Sequence, residues 1–579
     1  MAQYRFIFAA DAHTGRYQPG TEALEEILLE AASLNPTPEF VILGGDMVET
    51  GMDWEFEILK KVIAKSPIPI YPAIGNHESR WTEDLYQSYT KNFGRPYYSF
   101  DHKGIHFIVL DTTIYGQAYG HIERVELDWL QQDVESLAPE RPLVVISHHP
   151  LAYPNEFTDN WERVFAACTG RNLALHLAGH GHAAVNWSFD NVPCFMAPAV
   201  MSKQYLICDV KDDTIKVYKK ALGEEPVFWS EVSLTERTLK AFTIPKGPEK
   251  YKWRYRTGGA ILAAPLVGES EVFVSSVDGA LHCVDKQNGR VRWIYETGAM
   301  LVGEPMLTTI ENEPAVVFTS GIGAIYALRI ADRKLLWQHN TERALSSSPA
   351  IWQNQVYFGE ARAFSALNLK DGQLLWRVPI EGLVNVKPAV DEEGVYFGAW
   401  DGYFHAFSHS GTKLWEIKVT DNYYFSASTG NPQISGDIIV FTSGLLKEIG
   451  GIWALNKRTG DILWTKQIIS NYCTPCIQGE YVYVTEIPGK VYCLELTTGK
   501  EVWQINLGQE IFYSQPLYRE GRLIVNLLRR SIAIINLETL TYRIIEVSKR
   551  YLLAGPKTDQ KLIFIGAFDE CLYAFDLIK

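Results

Sequence analysis

The 579-residue chain lacks three features that would suggest particular classes of protein. It has no excess of basic residues: its net charge is -14 at pH 7, whereas a nucleic-acid surface needs Lys and Arg to neutralise phosphates. It has no apolar run of about 20 residues, the length that spans a bilayer as a helix. It also has few cysteines, and these eight are scattered, mostly within apolar runs. We therefore expect no nucleic-acid surface, no membrane span and buried free thiols rather than disulfides.

The N-terminal MAQYRFIFAADAH enters a strand-like segment without the basic and apolar regions of a signal peptide. We therefore expect a cytoplasmic protein; a trimmed leader would instead imply a periplasmic or extracellular one. The length of the chain predicts two or more domains.

Two halves of the chain have different sequence patterns. In residues 1–220, strand-like runs alternate with helical patterns, which predicts an α/β fold. Residues 221–249 follow neither pattern and are predicted to form a linker. Residues 250–579 repeat an apolar strand, a Gly-containing turn and a Trp-containing strand at about 40-residue spacing, as expected of four-stranded propeller blades. The repeated tryptophans are Trp293, Trp337, Trp376, Trp415, Trp464 and Trp503.

A seventh unit has Ile544 in place of Trp, and an eighth is split between the segment around Trp253 and the C-terminal FIGAFDECLYAFD. We therefore predict an all-β, eight-bladed propeller closed by strands from both ends. The blade endings ALNKRTGDILW and CLELTTGKEVW resemble those of quinoprotein-like, PQQ-repeat propellers. The resemblance implies that each turn and Trp docks neighbouring blades, in a module that binds a protein or ligand or serves assembly.

Cysteine spacing bears on the chemistry of this half. Propellers of the quinoprotein-like family that carry a quinone resemble dehydrogenases with an adjacent pair of cysteines near the cofactor. This chain has no adjacent cysteines, so we expect no PQQ cofactor. Cys473 and Cys476 have the C-x-x-C spacing of redox or zinc sites. No second C-x-x-C or matching His pair lies nearby, so we interpret them as ordinary strand residues.

In the first half, five predicted strands end in residue types that bind metals. The carboxyl ends of strands are where open α/β sheets bind ligands. A carboxylate such as Asp46 can bridge two divalent ions about 3.5–4 Å apart, and these lower the pKa of a bound water from 15.7 toward about 7, giving a hydroxide that attacks phosphorus. The five segments are Asp11-Ala-His13, Gly44-Gly45-Asp46, Gly75-Asn76-His77-Glu78, Ser147-His148-His149-Pro150 and Gly179-His180-Gly181-His182.

This ordered series resembles the calcineurin-like metallophosphoesterase family over residues 4 to about 218. The resemblance implies a two-sheet α/β sandwich and a dinuclear metal centre that hydrolyses a phosphate ester, as a phosphatase or a phosphodiesterase. Manganese, iron, zinc or similar ions suit the ligand types. The implied ligands are Asp11, His13, Asp46 and His182 for one metal, and Asp46, Asn76, His148 and His180 for the other.

The resemblance also implies catalytic roles. His77 would contact the phosphoryl oxygen and protonate the leaving group, and Glu78 would orient its ring. His149 matches no ligand position and is interpreted as a supporting or packing residue. Candidates for substrate contact, from their places beside the motifs, are Arg80, Arg16 and Tyr17.

Two further segments narrow the subgroup. Purple acid phosphatases resemble this pattern but carry Tyr three residues after the bridging Asp. This chain has Glu49 at that position, which disfavours a purple acid phosphatase. Gly120-His121-Ile122 and the following ELDWL look like a segment of cyclic-nucleotide phosphodiesterase-like members, and the loop 152–161 is expected to shape the leaving-group side. The leading hypothesis is hydrolysis of a phosphomonoester or phosphodiester, with nucleotides and cyclic nucleotides among the candidates. The alternative is a propeller-centred scaffold with a vestigial phosphoesterase domain, although no predicted ligand is missing.

Overall fold

The computed structural model describes residues 3–15, 18–85, 87–154, 156–235, 239–240, 250–421, 423–445, 448–469, 472–559 and 561–576. The chain divides into two compact units, Met1–Pro245 and Lys246–Lys579. No helix among the described residues has the length and apolar character needed to cross a membrane.

The first unit alternates strands and helices, as its sequence pattern predicts. Its helices are α1 (Gln18–Ser33), α2 (Asp53–Ile63), α3 (Asn76–Ser79), α4 (Gln87–Phe93), α5 (Arg124–Glu135) and α6 (Glu162–Ala167). Its strands are β1 (Tyr4–Ala9), β2 (Phe40–Gly44), β3 (Ile70–Ala73), β4 (Tyr98–His102), β5 (Ile105–Leu110), β6 (Leu143–Ser147), β7 (Leu173–Ala178), β8 (Val185–Phe189), β9 (Val192–Met196), β10 (Gln204–Lys211), β11 (Thr214–Ala221) and β12 (Val227–Ser233).

These strands form two mixed six-stranded sheets, in the orders β12-β11-β10-β1-β2-β3 and β4-β5-β6-β7-β9-β8. Strands β1, β2 and β3 run parallel, and so do β5, β6 and β7. Phe6, Phe40 and Phe107 belong to a core cluster that contains buried side chains of both sheets. Helices α1 and α2 cover the other face of the first sheet, and α5 and α6 cover that of the second. The predicted two-sheet α/β sandwich is therefore confirmed.

The predicted linker 221–249 starts too early. Residues 227–233 form β12, which pairs antiparallel with β11 at the edge of the first sheet. Val232 is buried and Trp229 packs against the core between the sheets, whereas Val227 and Phe228 are exposed. An edge strand with so few buried positions carries little apolar periodicity, which is why its sequence resembles a linker. Residues 241–249 lie outside the described residues.

The second unit is the predicted eight-bladed propeller. Seven blades use consecutive strands, and the eighth joins β13 to β43, β42 and β41. The strands by blade are β14–β17 (Leu266–Val267, Glu271–Ser275, Ala280–Asp285, Val291–Glu296), β18–β21 (Met306–Ile310, Glu313–Ser320, Ala324–Arg329, Leu335–Asn340), β22–β24 (Ala350–Trp352, Gln355–Asn368, Leu374–Leu383), β25–β28 (Ala389–Val390, Val395–Gly398, Tyr403–Phe407, Lys413–Lys418), β29–β32 (Gln433–Ser435, Ile438–Leu445, Glu448–Asn456, Ile462–Lys466), β33–β36 (Cys476–Gln478, Tyr481–Glu486, Lys490–Glu495, Glu501–Asn506), β37–β40 (Leu517–Arg519, Arg522–Leu527, Arg529–Asn536, Tyr542–Tyr551), and β13 with β41–β43 (Trp253–Arg256, Lys557–Thr558, Leu562–Gly566, Cys571–Asp576).

The repeated tryptophans dock neighbouring blades, as the propeller resemblance implies. Trp415, for example, donates its indole N–H to the carbonyl of Lys457 in the next blade, at 2.9 Å. The ring also covers Gly460, where φ is +76° and a Cβ would lie 2.8 Å from the indole. A turn glycine is therefore needed both for its backbone conformation and for the close approach of the ring.

The C-x-x-C cysteines take part in ordinary packing. Cys473 is buried in the core cluster between the fifth and sixth blades, whereas Cys476 packs against the cluster between the sixth and seventh. Both are free thiols. Their side chains therefore serve two different interfaces between blades, in agreement with the interpretation from sequence.

Candidate metal centre

The predicted ligands meet at the ends of β1, β2, β6 and β7, where the backbone adopts an unusual conformation. Asp11, His13, Asp46, His180 and His182 all have positive φ, between 49° and 72°. Side-chain-bearing residues rarely adopt this region, and such strain concentrates at functional sites. The five candidate ligands thus share a left-handed backbone conformation just after their strands.

One group of candidate ligands consists of Asp11, His13, Asp46 and His182, whose ligand atoms lie within 4.8 Å of one another. The Nε2 atoms of His13 and His182 are 3.2 Å apart. Nε2 of His182 lies 3.3 Å from Oδ1 of Asp11, and Nε2 of His13 lies 4.0 Å from Oδ2 of Asp46. The structure therefore brings together every residue predicted for the first metal.

A second group consists of Asp46, His148 and His180. Oδ2 of Asp46 lies 3.1 Å from Nε2 of His148. The side-chain oxygen of Asn76 completes this group, at 2.9 Å from Nδ1 of His180 and 3.2 Å from Nε2 of His148. Asp46 belongs to both groups, as expected of a bridging carboxylate.

The chemistry of the donor set fits a cation. Nδ1 of His148 faces the carbonyl oxygen of Gly44 at 2.9 Å, and because a carbonyl only accepts, Nδ1 carries the proton. In the neutral ring the Nε2 lone pair then points at the oxygens of Asp46 and Asn76. Burial lowers the pKa of His148, but the Asp46 carboxylate, together with Asp11 and the Gly44 carbonyl, outweighs burial and raises the pKa to about 9. The lone pairs of Nε2 of His148 and of the Asp46 and Asn76 oxygens repel one another unless a positive charge lies between them. A proton or a metal ion can supply that charge.

Glu49 holds the ring of His13. Its Oε2 lies 2.8 Å from Nδ1 of His13, which directs Nε2 into the first ligand group. A carboxylate that accepts the second ring N–H of a metal-binding histidine fixes its orientation and increases its basicity. From the sequence, Glu49 was used only to distinguish a subgroup, and its contact with His13 was not predicted. Its position three residues after Asp46 is the feature that could have indicated a role beside the candidate ligands.

Glu78 holds the backbone around Asp46. Its Oε2 accepts the N–H groups of Gly75 at 2.7 Å and Asp46 at 2.9 Å, and its Oε1 accepts that of Val48 at 2.8 Å. The structure thus differs from the expectation that Glu78 orients the ring of His77. Because its two oxygens are directed at three amides, Glu78 positions the Asp46 turn against the segment that carries Asn76.

The ring of His77 is oriented by a main-chain group instead. Its Nδ1 donates to the carbonyl of Glu49 at 2.7 Å, and its Nε2 lies 3.9 Å from Oδ2 of Asp46. Burial, followed by the charges of His13 and Arg80, lowers the pKa of His77 to about 3 even though Asp46 opposes this. His77 therefore points Nε2 toward the candidate metal ligands.

Of the remaining residues singled out in the sequence, the structure describes Arg80 and His149 but not Arg16 and Tyr17. Arg80 follows α3, and its guanidinium lies over the ring of Trp81, with Cζ 4.7 Å from the centroid. His149 is buried, with Nδ1 2.9 Å from the hydroxyl of Thr112, and its ring packs 4.5 Å from that of His180, which suits a supporting residue. Arg16 and Tyr17 lie outside the described residues.

An aromatic cluster adjoins His180 and was not resolved into residues by sequence reasoning. The ring of Phe157, in the loop 152–161, lies 4.9 Å from that of His180, and Tyr153 stacks on Phe157 at 5.5 Å. Both are half-buried. The loop is anchored to the segment around Gly120, whose N–H donates to the carbonyl of Phe157 at 2.7 Å. Two segments singled out in the sequence therefore form one wall beside the candidate metal ligands.

Two glycines permit the ligands to approach one another. At Gly45, φ is +91° and a Cβ would lie 2.5 Å from Nδ1 of His148. At Gly75, a Cβ would lie 2.3 Å from both the backbone nitrogen and Oδ1 of Asp46. Any side chain at either position would displace a candidate ligand.

Fold and site together define a metallophosphoesterase-type sandwich joined in one chain to an eight-bladed propeller. A family model described as calcineurin-like phosphoesterase matches residues 4–184. A model described as outer membrane protein assembly factor BamB matches residues 232–362, 321–472 and 448–541. The chain therefore belongs to the BamB-type repeat family through its propeller, and its first unit matches the calcineurin-like phosphoesterases, which supports a phosphoric ester hydrolase.

Curated relatives match the first half at low identity. A "probable cyclic nucleotide phosphodiesterase" of Rhodococcus erythropolis is 26% identical over 36% of this chain and 70% of that protein. A "probable glycerophosphodiester phosphodiesterase GpdQ" of Arcobacter nitrofigilis is 27% identical over 22% of this chain and 48% of that protein. The human "serine/threonine-protein phosphatase CPPED1" is 24% identical over 30% of this chain and 63% of that protein. The chain thus spans from about half to 70% of the length of these relatives.

Proposed function

We propose that the first unit hydrolyses a phosphodiester at a centre that binds two divalent ions, and that the propeller serves as a binding or assembly module. The observation that carries the proposal is the place of Asp46, whose carboxylate belongs to both groups of candidate ligands. One carboxylate shared by two histidine-containing groups is the arrangement that a pair of ions requires. The proposed ligands are Asp11, His13, Asp46 and His182 for one ion, and Asp46, Asn76, His148 and His180 for the other.

When bound, divalent ions act as Lewis acids toward phosphoryl oxygens and activate water as a nucleophile. The residues of the chain then have separate tasks. Glu49 and the Gly44 carbonyl fix the rings of His13 and His148. His77, held through Nδ1, presents Nε2 toward the candidate ligand groups. We assign it contact with a phosphoryl oxygen, whose negative charge raises the pKa that burial lowers, and then proton transfer to the leaving group.

The preference for a diester rests on the relatives and on the wall beside His180. Two of the three relatives named above are called phosphodiesterases, and one of these is a cyclic nucleotide enzyme. Half-exposed rings at Phe157 and Tyr153 give a planar base a surface on which to stack. A monoester is the alternative, as the name of the human relative suggests.

The decisive variant is Asp46→Asn. Asn tolerates positive φ, so the backbone conformation of residue 46 is preserved while the shared carboxylate is lost. We expect the metal content, measured by mass spectrometry of the purified protein, to fall from about two ions per chain. We also expect loss of turnover of bis(p-nitrophenyl) phosphate and of p-nitrophenyl phosphate. Asp212→Asn is the matched control, since Asp212 also has positive φ but lies in an exposed turn.

Normal turnover in Asp46→Asn would contradict the shared-carboxylate centre. Wild-type protein without bound metal and without activity would favour the alternative of a propeller-centred scaffold. The role of His77 has a separate test: His77→Ala should retain its metals and lose most turnover with poor leaving groups. Equal losses across a series of leaving groups would contradict proton donation by His77.

A further inference from the structure

The inner strands of the propeller surround a cavity of about 480 Å³. Its wall is built around prolines at the start of the inner strands, among them Pro388, Pro475 and Pro556. The volume lies within the range of about 300–1,000 Å³ that small-molecule sites occupy. The structure describes every residue that lines this cavity. The charged residues among them are Glu304, Lys387 and Lys557.

These three side chains leave an excess of positive charge. Nζ of Lys387 lies 3.8 Å and Nζ of Lys557 3.6 Å from the same oxygen, Oε2 of Glu304. Both distances exceed those of a hydrogen bond. The side chain of Glu304 is only 10% exposed, and besides the two lysines its carboxylate has Gln515 of the same wall as a hydrogen-bonding neighbour. Two ammonium groups therefore face a single carboxylate in a confined space.

The environment of Lys387 reflects this imbalance. Burial lowers the pKa of its ammonium group, the neighbouring Lys557 lowers it further, and Glu304 offsets this only in part. The side chains of Lys387 and Lys557 are 28% and 37% exposed, and an incompletely paired charge that is partly shielded from water carries a cost. A negative charge that enters the cavity would relieve this cost.

Two neutral polar residues of the wall, Asn431 and Thr474, have structural roles. The side-chain oxygen of Asn431 accepts the backbone N–H of Lys387 at 2.9 Å, and the hydroxyl of Thr474 accepts that of Asn431 at 3.1 Å. These bonds join successive blades. The ammonium groups of Lys387 and Lys557 are the cationic groups of the wall that remain for a ligand.

We propose that this cavity binds a small organic molecule through a carboxylate group, with Lys387 and Lys557 as its cationic partners. One excess positive charge is balanced by one carboxylate, whereas a phosphate dianion would exceed it. The site lies within the propeller, so the proposal is independent of the hydrolytic function of the first unit.

The test uses the full chain and monocarboxylate probes: acetate, pyruvate and benzoate, with benzamide as the neutral counterpart of benzoate. Binding is measured by saturation-transfer NMR and calorimetry at constant ionic strength. We expect at least one carboxylate to bind and benzamide not to bind. Lys387→Gln and Lys557→Gln should each weaken binding about tenfold, the value of one charge-assisted hydrogen bond. Lys370→Gln, at an exposed surface ion pair, should leave it unchanged.

Glu304→Gln tests whether weaker binding in the lysine variants comes from the lost charge or from misfolding. It removes the competing carboxylate and should tighten binding several-fold, an effect opposite in sign to that of the lysine variants. Binding of none of the probes would overturn the proposal. So would equal binding of benzoate and benzamide, or benzoate affinity that does not change in Lys387→Gln and Lys557→Gln.

Discussion

Glu78 links three backbone amides in the candidate metal centre, which makes Glu78→Gln an informative perturbation. Oε2 accepts the N–H groups of Gly75 and Asp46, and Oε1 accepts that of Val48. A glutamine side chain has one carbonyl oxygen and one NH₂ group. If the carbonyl takes the place of Oε2, the NH₂ group faces the N–H of Val48. Two hydrogen-bond donors then face each other, and the N–H of Val48 has lost its acceptor.

The expected cost follows from this geometry. The variant loses one hydrogen bond, worth about 0.5–1.5 kcal/mol, and leaves a buried donor unsatisfied, which costs about 1–3 kcal/mol. We therefore expect the free energy of unfolding of the first unit to fall by about 2–4 kcal/mol. Because the lost bond restrains the turn that carries Asp46, metal retention on dialysis should fall as well.

Glu55→Gln is the matched control. Glu55 is also a buried carboxylate that accepts three hydrogen bonds, from the backbone and hydroxyl of Thr50 and the backbone of Met52. All three end at Oε2, so the carbonyl of glutamine can keep them while NH₂ replaces Oε1. We expect this variant to cost only about 1 kcal/mol and to retain its metals.

The assay combines calorimetric unfolding of the full chain with hydrogen exchange of the segment 40–50 and metal analysis after dialysis. Exchange at Val48 should accelerate in Glu78→Gln and not in Glu55→Gln. Equal destabilisation in the two variants would refute the argument from the distribution of hydrogen bonds between the oxygens. Full metal retention in Glu78→Gln would refute the positioning role.

Three further predictions concern the rest of the molecule. Gly460→Ala should destabilise the propeller by about 2–4 kcal/mol, from strain at positive φ and collision with the Trp415 ring; Gly436→Ala, also at positive φ but with open space around it, should cost only the backbone strain, and calorimetry compares the two. The two aspartates that flank His106 outweigh the effect of burial and raise its pKa above the unfolded value. Its ion pairs therefore stabilise the fold fully below about pH 6.5 and lose this effect as pH rises through the folded pKa, so His106→Gln should cost on the order of 1 kcal/mol more at pH 6 than at pH 9 in urea unfolding. Chelation of divalent ions should lower the melting temperature of the first unit and leave that of the propeller unchanged, because a ligand stabilises the unit that binds it.

Many features of the fold follow from local pattern. The buried strand-like runs and the turn glycines identify elements that the structure contains, because burial on both faces requires continuous apolar residues. The edge strand β12 was missed because few of its side chains are buried. Propeller closure by Trp253 was predictable, since a split repeat leaves complementary strands at the two ends of the unit, and Trp253 pairs with Ala574.

The site shows the same division between local and tertiary information. The histidines and aspartates at the strand ends were predicted because parallel strands present their carboxyl ends at one edge. The contacts of Glu49 with His13, of Glu78 with three amides and of Phe157 with His180 join segments far apart in sequence. No local periodicity encodes such contacts, because they depend on how two loops approach each other.

The sequence by itself determined the order of elements, the number of blades and the residue types that gather at the metal-binding edge, since periodicity and turn chemistry are local properties. The tertiary structure alone decided which side chain restrains which ligand, and it brought Lys387, Lys557 and Glu304 to one cavity from three blades. The physical reason is that hydrogen-bond geometry and charge balance depend on distances between segments that chain folding sets. His180 and His182 illustrate both levels: their glycine-flanked motif is local and the family resemblance implied that they bind different metals, whereas the distances that place them in two ligand groups are set by the fold.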